Sequence, residues 1–228
     1  MYRRGFHPCT PGAPLRGIAL LYIHRDAFSM ANFAPRSSDI SRTTSETRVD
    51  LSLDLDEDAS YETDTGIAFL DHMLDLFARH GRFGLHVSCD GDIDVDDHHT
   101  TEDIGIVLGQ AFREALGDKE HIARYGHAYV PMDETLARAV VDLSGRFSFA
   151  GDLPFTRAQV GDLSTEMISH FWKSFAEHAG CNLHIDLIRG TNAHHQAEAI
   201  FKAVAVALRK AVSRHEQQAR MPSTKGTL

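Results

Sequence analysis

Hydrophobic and polar positions along this chain alternate in a short segment and then change to a helical period. Apolar side chains occupy every second position from Val49 to Leu55, which is typical of a half-buried strand. From Gly66 the apolar residues recur every three or four positions, which predicts an amphipathic helix that Gly81 ends. The chain therefore begins its regular part, near Arg42, with a strand followed by a helix.

A second strand region and a second helix complete this unit. Apolar residues alternate again over residues 85–89, and a turn at Asp90-Gly91 leads into a further short strand at residues 93–95. A long apolar stripe over residues 104–116 then predicts a helix closed by Gly117.

The second half repeats this order of elements. Its predicted elements are strands at 129–130 and 136–143, a helix capped by Ser164 and ended by Gly180, a strand at 183–187 and a helix at 197–212. One half alone has little core, so the two halves are expected to pack together. The predicted fold is α+β, with duplicated half-domains, each a small, mostly antiparallel sheet covered on one face by two helices.

The boundaries of these parts follow from composition. Residues 1–40 carry four prolines and no sustained period, so we predict a disordered extension, with Met30 as an alternative start. The first half-repeat is predicted at 41–125, the second at 126–218, and a tail of loop composition at 219–228.

Charge and cysteine content limit the classes of function. The formal net charge is −9 over 228 residues and the arginines form no basic block, which argues against a nucleic-acid partner. No segment is long and apolar enough for a membrane helix. Three cysteines without a CxxC spacing indicate a reducing compartment, so we expect a cytoplasmic protein.

The strongest chemical signal is a duplicated histidine motif. His98-His99 and His194-His195 are each followed, three residues after the pair, by a glutamate, Glu102 or Glu198. A further histidine precedes each pair, 26 residues before His98 and 24 residues before His194. Imidazole nitrogens and carboxylate oxygens are ligands of divalent transition metals, so the motif predicts a site for two metal ions.

Helix geometry indicates how these ligands would divide. Adjacent histidines point about 100° apart around a helix, so each is expected to serve a different metal. Three histidines and one glutamate per metal would use every member, drawn from different halves or from different subunits. The predicted ligands are His72, His98, His99, Glu102, His170, His194, His195 and Glu198. Open positions on an octahedral ion favour Mn²⁺, with Fe, Co or Zn as the alternatives.

Other features have more ordinary interpretations. The aromatic stripe of Phe171, Trp172 and Phe175 is expected to lie in the core. The acidic run from Asp90 to Asp97 is expected to form a solvated face, in which Asp96 and Asp97 are candidates for orienting a ligand histidine. Some of the other histidines are expected to be ordinary surface or core residues, namely His7, His24, His121, His127 and His215.

These motifs, in their sequence context, resemble the imidazoleglycerol-phosphate dehydratase family over about residues 41–228. The resemblance rests on the runs 69–75, 97–103, 131–134, 194–199 and 222–226. It implies a duplicated α+β fold and two Mn²⁺ ions per active site. It also implies a homo-oligomeric shell of trimers with shared metal sites, acting in histidine biosynthesis.

The resemblance also implies residue roles. Glu46, in the run Arg42-Thr43-Thr44-Ser45-Glu46-Thr47, corresponds to the family's acid/base glutamate and contacts substrate. Relatives often carry Gln at the position of Leu76, to which no role is assigned. The implied phosphate-binding residues are Arg124, Arg146, Lys202, Ser223 and Lys225.

The implied reaction removes water from imidazoleglycerol phosphate to give imidazole acetol phosphate. Two metals on the ring nitrogens would favour the imidazolate, which expels the adjacent hydroxyl and makes the next carbon acidic. Glu46 would then move protons, aided by Glu198 or water. The alternatives are a helical-bundle di-metal oxidase, a metalloprotease and a metal-assembled scaffold; the sequence lacks Glu-x-x-His order and HExxH.

Overall fold

The first half forms a four-stranded sheet and two helices. A computed structural model describes residues 33–57, 60–214 and 221–226. The elements of this half are β1 (Ser37–Thr43), β2 (Thr47–Asp54), β3 (Tyr61–Asp64), α1 (Ala68–Gly81), β4 (Gly84–Gly91) and α2 (His98–Leu116). The strand order is β1-β2-β4-β3, in which only the β3–β4 pair is parallel.

The second half repeats this topology. Its elements are β5 (Tyr125–Met132), β6 (Thr135–Asp142), β7 (Ser148–Ala150), β8 (Gln159–Val160), β9 (Leu163–Ser164), α3 (Thr165–Ala179), β10 (Asn182–Arg189) and α4 (Ala193–Val212). The main sheet has the order β5-β6-β10-β7 with one parallel pair, β7–β10, and β8 pairs with β9 as an insertion before α3. The predicted duplicated α+β fold is confirmed.

The core lies between the sheets and includes the packed helices of both halves. Helix α2 covers the first sheet and packs against α3, while α4 covers the second sheet and packs against α1. Each half therefore contributes a helix to the other half's core. The aromatic stripe of Phe171, Trp172 and Phe175 is fully buried, as predicted.

Three local predictions differ from the structure. Strand β1 begins at Ser37, inside the segment 1–40 that was predicted to be a disordered extension. Residues 93–95 form a turn rather than a strand, with Val95 69% exposed. Helix α1 ends at Gly81, as predicted, and Arg82 takes the left-handed cap position with φ 57°. Ser164 precedes α3 but makes no side-chain capping bond.

Part of the predicted extension lies outside the described residues. Of the predicted segment 1–40, residues 1–32, which include the alternative start at Met30, are not described, and the domain boundaries stay predictions. Within the described part of the chain, none of the helices has the length and hydrophobicity needed to span a bilayer. The two described cysteines, Cys89 and Cys181, are free thiols, and burial raises the pKa of each to about 12.

Candidate metal centre

Two helices from different halves build the first group of candidate ligands. His72 extends from α1, and His194 and Glu198 extend from the first turns of α4, which packs against α1. His72 Nε2 lies 3.1 Å and His194 Nε2 lies 2.9 Å from the same oxygen, Glu198 Oε1. Asn192 fixes the start of α4 because its side chain accepts hydrogen bonds from the backbone of His194 and His195.

The second group is the counterpart built by α2 and α3. His98 and Glu102 lie on the first turns of α2, and His170 Nε2 lies 2.8 Å from Glu102 Oε1. The rings of His98 and His170 have centroids 4.9 Å apart. In each group the three ligand atoms lie within 4.8 Å of one another. The cross-half packing of the helices therefore assembles both groups.

Hydrogen bonding keeps both glutamates ionised. Burial opposes the charge on Glu198, but hydrogen bonds with Lys202, His72 and His194 outweigh it and lower its pKa to about 2. The contact with His170 lowers the pKa of Glu102. Two imidazoles and one carboxylate per group form a donor set that suits borderline divalent ions such as Mn²⁺, Fe²⁺ and Zn²⁺.

The other two predicted ligands, His99 and His195, stand outside these groups. His99 Nδ1 lies 3.0 Å from Asp92 Oδ2, and its Nε2 is 3.9 Å from Glu46 Oε1. His195 Nδ1 lies 2.8 Å from Glu134 Oε2. One copy of the chain thus brings together six of the eight predicted ligands, in two sets of three.

Asp92 and Glu134 are functional candidates that sequence reasoning missed. A hydrogen bond with Asp92 raises the pKa of His99, and one with Glu134 raises the pKa of His195. Glu134 accepts hydrogen bonds from His195 and from the backbone of Asn192 and Thr191, and these lower its pKa to about 2. A carboxylate at Nδ1 fixes the orientation of the ring, an arrangement that is common beside metal-ligating histidines.

The orienting role suggested for Asp96 or Asp97 is not observed. Asp96 Oδ1 accepts the backbone N–H of His98 at 2.9 Å, so it stabilises the entry to α2. Asp97 accepts the backbone N–H of Ser164 and connects that entry to the start of α3. The residue that contacts His99 is Asp92, which lies directly after β4 and seven residues before His99. Acidic side chains are frequent in this segment, and their spacing alone does not identify Asp92.

Glu46 lies in the turn between β1 and β2. Its side chain is about half exposed, and its backbone oxygen accepts a hydrogen bond from Asp92 N at 3.1 Å. Glu46 is thus connected to the same aspartate that contacts His99. It lies beside His99 rather than within either three-ligand group.

The predicted phosphate-binding residues fall into two places. The Arg124 guanidinium pairs with Asp142 at 2.7 Å and donates to the backbone oxygen of Pro222 at 2.8 Å, which holds the tail beside β5. Lys202 instead lies on α4, with Nζ 2.5 Å from Glu198 Oε2.

The remaining phosphate candidates accompany Arg124. Ser223 follows Pro222 directly, and its hydroxyl accepts the backbone N–H of Lys225 at 3.2 Å. Arg146 O accepts from Asn182, which is paired across the sheet with Asp142. Leu76, to which no role was assigned, is partly buried against the core.

The fold and the site together define a protein of two related α+β halves that carries a pair of imidazole–carboxylate groups at the boundary between the halves. Comparison with known proteins identifies the family: the family model described as imidazoleglycerol-phosphate dehydratase matches residues 65–208. The chain belongs to this family, which places it among the hydro-lyases.

Individual relatives agree with this assignment. The chain is 60% identical over 200 residues to the imidazoleglycerol-phosphate dehydratase of Salinibacter ruber, covering 88% of this chain and 99% of that protein. It is 52% identical over 196 residues to that of Pseudomonas aeruginosa, covering 86% of this chain and all of that protein.

Solved structures show the same fold. The crystal structure of imidazoleglycerol-phosphate dehydratase from Staphylococcus aureus matches with a TM-score of 0.72 at 42% identity, covering 78% of this chain and 99% of that chain. The structure of the enzyme from Pyrococcus furiosus, in complex with (S)-C348, matches with a TM-score of 0.72 at 36% identity. That match covers 83% of this chain and 100% of that chain.

Proposed function

We propose that this chain catalyses the dehydration of imidazoleglycerol phosphate to imidazole acetol phosphate in histidine biosynthesis, with two divalent metal ions per active site. Family membership supports the substrate and the reaction. The observation that carries the metal dependence is the convergence of six of the eight predicted ligands into two matching groups.

The residues present fit two divalent ions. His72, His194 and Glu198 would hold one ion, and His98, Glu102 and His170 the other, with His99 and His195 completing the sets. Mn²⁺ suits these mixed nitrogen and oxygen donors, and other divalent transition metals are alternatives. When bound, the two ions would supply Lewis acidity toward the substrate's ring nitrogens and favour the imidazolate form.

Proton transfer is assigned to Glu46. Its carboxylate is half exposed and lies beside His99, so substrate held by the metal centre would have access to it. Glu46 would remove the proton from the carbon adjacent to the one that loses its hydroxyl. Glu198 remains ionised through its contacts with Lys202 and two histidines, so it suits ligation and is less suited to donating a proton.

The phosphate of the substrate would be bound by Arg124, Arg146, Ser223 and Lys225, with Lys202 nearer the ring. The backbone N–H of Arg124 donates to Ala211 O at the end of α4, nine residues beyond Lys202. With a rise of about 1.5 Å per residue, this places the Arg124 backbone about 14 Å along the helix from Lys202 and about 20 Å from Glu198 of the metal group.

This separation favours active sites built from more than one copy. His99 Nε2 lies 3.9 Å from Glu46 Oε1 and His195 Nε2 lies 3.6 Å from Asp133 Oδ2, and neither histidine belongs to a three-ligand group of its own chain. For this reason we assign both histidines to metal sites shared with another copy. We therefore retain the expected homo-oligomer, a shell of trimers with shared metal sites, as part of the proposal. A cytoplasmic location, without a nucleic-acid or membrane partner, also stays a prediction.

The proposal is tested with metal-free protein. Imidazoleglycerol phosphate is added with and without Mn²⁺, and turnover is followed by the ultraviolet absorbance of the enolised product. We expect turnover only with Mn²⁺, and its loss in His72→Ala and His170→Ala. His86→Ala is the matched control, because His86 lies on the outer face of β4, away from both groups. Full turnover by metal-free protein would contradict the metal dependence.

A further inference from the structure

The duplication allows the two ligand groups to be compared position by position. When the double histidines of α2 and α4 are aligned, Glu102 corresponds to Glu198. Four residues later, on the same helical face, α2 carries Ile106 and α4 carries Lys202. The two groups are alike in their three ligands and differ in this neighbour.

Lys202 is held directly on the ligand carboxylate. Its ammonium nitrogen lies 2.5 Å from Glu198 Oε2 and 3.4 Å from the sulfur of Met132, and only 14% of its side chain is exposed. Glu198 itself is 9% exposed. This lysine therefore neutralises the carboxylate in a poorly solvated place, where charges interact strongly.

Glu102 lacks such a partner. Among the described residues, no lysine or arginine forms an ion pair or hydrogen bond with it, and its side chain is 36% exposed. The nearby cation of this half, Arg42, pairs instead with buried Asp103, which also accepts the hydroxyl of Thr47. In the second half Ala199 occupies the position of Asp103, so this second carboxylate is absent there.

We infer that the two groups bind divalent cations with unequal affinity, and that His98, Glu102 and His170 load before His72, His194 and Glu198. An ion in the second group must share Glu198 with a fixed positive charge, whereas Glu102 offers its full negative charge. At a separation of a few ångströms this repulsion weakens binding about tenfold or more. The inference rests on the proposed metal dependence.

The test is a titration of metal-free protein with Mn²⁺. Free Mn²⁺ is measured by electron paramagnetic resonance and bound Mn²⁺ by elemental analysis. We expect two classes of sites, equal in number, whose dissociation constants differ about tenfold or more. His170→Ala should remove the tight class, and His72→Ala should remove the weak class.

Exchange of the distinguishing residue tests the cause. Lys202→Met should tighten the weak class toward the other, Lys202→Arg should preserve the difference, and Ile106→Lys should weaken the tight class. Circular dichroism verifies folding, and Lys202→Gln replaces Lys202→Met if the latter does not fold. Equal affinities in the unchanged protein, or a difference that survives removal of the Lys202 charge, would overturn the inference alone. Absence of Mn²⁺ binding would overturn it together with the proposed metal dependence.

Discussion

At the scale of single residues, the candidate site includes carboxylates that contact imidazoles as well as the candidate ligands themselves. Asp92 contacts Nδ1 of His99, and Glu134 contacts Nδ1 of His195. Each contact restrains the rotation of the imidazole ring and so fixes where its Nε2 atom lies. The two carboxylates lie in different local structures, a turn after β4 and the β5–β6 hairpin. Each nevertheless contacts the second histidine of the pair in its own half.

Glu134→Ala is expected to weaken metal binding at the site that His195 joins. Loss of the carboxylate frees the imidazole to rotate and removes the acceptor for Thr191 N and Asn192 N. Removal of such an orienting partner commonly costs about 10–100-fold in metal affinity. Equilibrium dialysis with Mn²⁺ measures the change. Glu62→Ala, an exposed carboxylate on β3, is the control, and equal affinities in both variants would contradict the orienting role.

Glu46→Gln is expected to keep bound metal and assembly while losing most turnover. The amide preserves the size of the side chain but cannot accept a proton from carbon, and general acid–base groups contribute about 10²–10⁴-fold. Turnover, metal content and light scattering are measured on one preparation. A variant with near-normal turnover would remove Glu46 from proton transfer.

The sequence predicts the candidate ligands better than it predicts the residues that contact and position them. Duplicated spacing was sufficient to select His72, His170 and the double histidines, because helix periodicity places them on definable faces. Asp92 and Glu134 lie in turns, and hydrophobic periodicity does not predict which side chains a turn brings into contact. The same limit explains why Asp96 and Asp97, closer in sequence to the ligands, were the wrong candidates for orienting them.

At the scale of elements, close helix packing sets the distance between the ligand-bearing helices. A β-carbon built at Gly105 would lie 2.8 Å from the backbone oxygen of Phe171, and one at Gly109 would lie 2.5 Å from that of Phe175. Both glycines lie on α2, four residues apart, and face α3. They allow α2 to approach α3 closely enough for His98 and Glu102 to meet His170.

Gly109→Ala is therefore expected to destabilise the protein, although alanine favours an isolated helix by about 1 kcal/mol. Overlap with the backbone of α3 should outweigh this gain and leave a net loss of about 1–3 kcal/mol. Urea unfolding measures the free energy. Gln110→Ala, on the same helix but partly exposed, should change it by less than about 0.5 kcal/mol. A stabilised Gly109→Ala variant would show that α2 and α3 separate at no cost.

Prediction of helices and strands succeeded where the periodic hydrophobic pattern extended over many residues and failed where it covered only a few. The helical stripes of α2 and α4 extend over several turns, so their type was unambiguous. Ile93 and Val95 alternate with aspartates as a strand would, but both are exposed and the segment forms a turn before α2. Two apolar residues among acids carry too little information to distinguish a strand from a turn.

At the scale of the whole molecule, the proposed active site is larger than one chain. The metal groups lie at the first turns of the ligand-bearing helices, whereas Arg124 and the tail lie near the end of α4. The motifs predicted which residues belong to the site, but a single sequence holds no direct signal for the relative placement of copies. The separation of Arg124 from Glu198 within one chain is the structural observation that calls for a second copy.

Mixing two inactive variants tests this arrangement. Arg124→Ala removes a phosphate contact and His72→Ala removes a metal ligand, so each variant alone should have little turnover. If a site takes its metal group from one copy and its phosphate contacts from another, some mixed sites regain both functional parts. Variants mixed without metal and reassembled with Mn²⁺ should then recover up to about a quarter of normal turnover.

The control is a mixture of two variants in which no site can regain turnover by combining residues from two copies. Two preparations that both carry His72→Ala, one of them also carrying Arg124→Ala, provide it, because every metal group of that kind is then defective. Turnover is measured together with light scattering, so that failure to assemble is distinguished from failure to react. If each copy contains a complete site of its own, the first mixture stays as inactive as its components, because every chain in it lacks either Arg124 or His72.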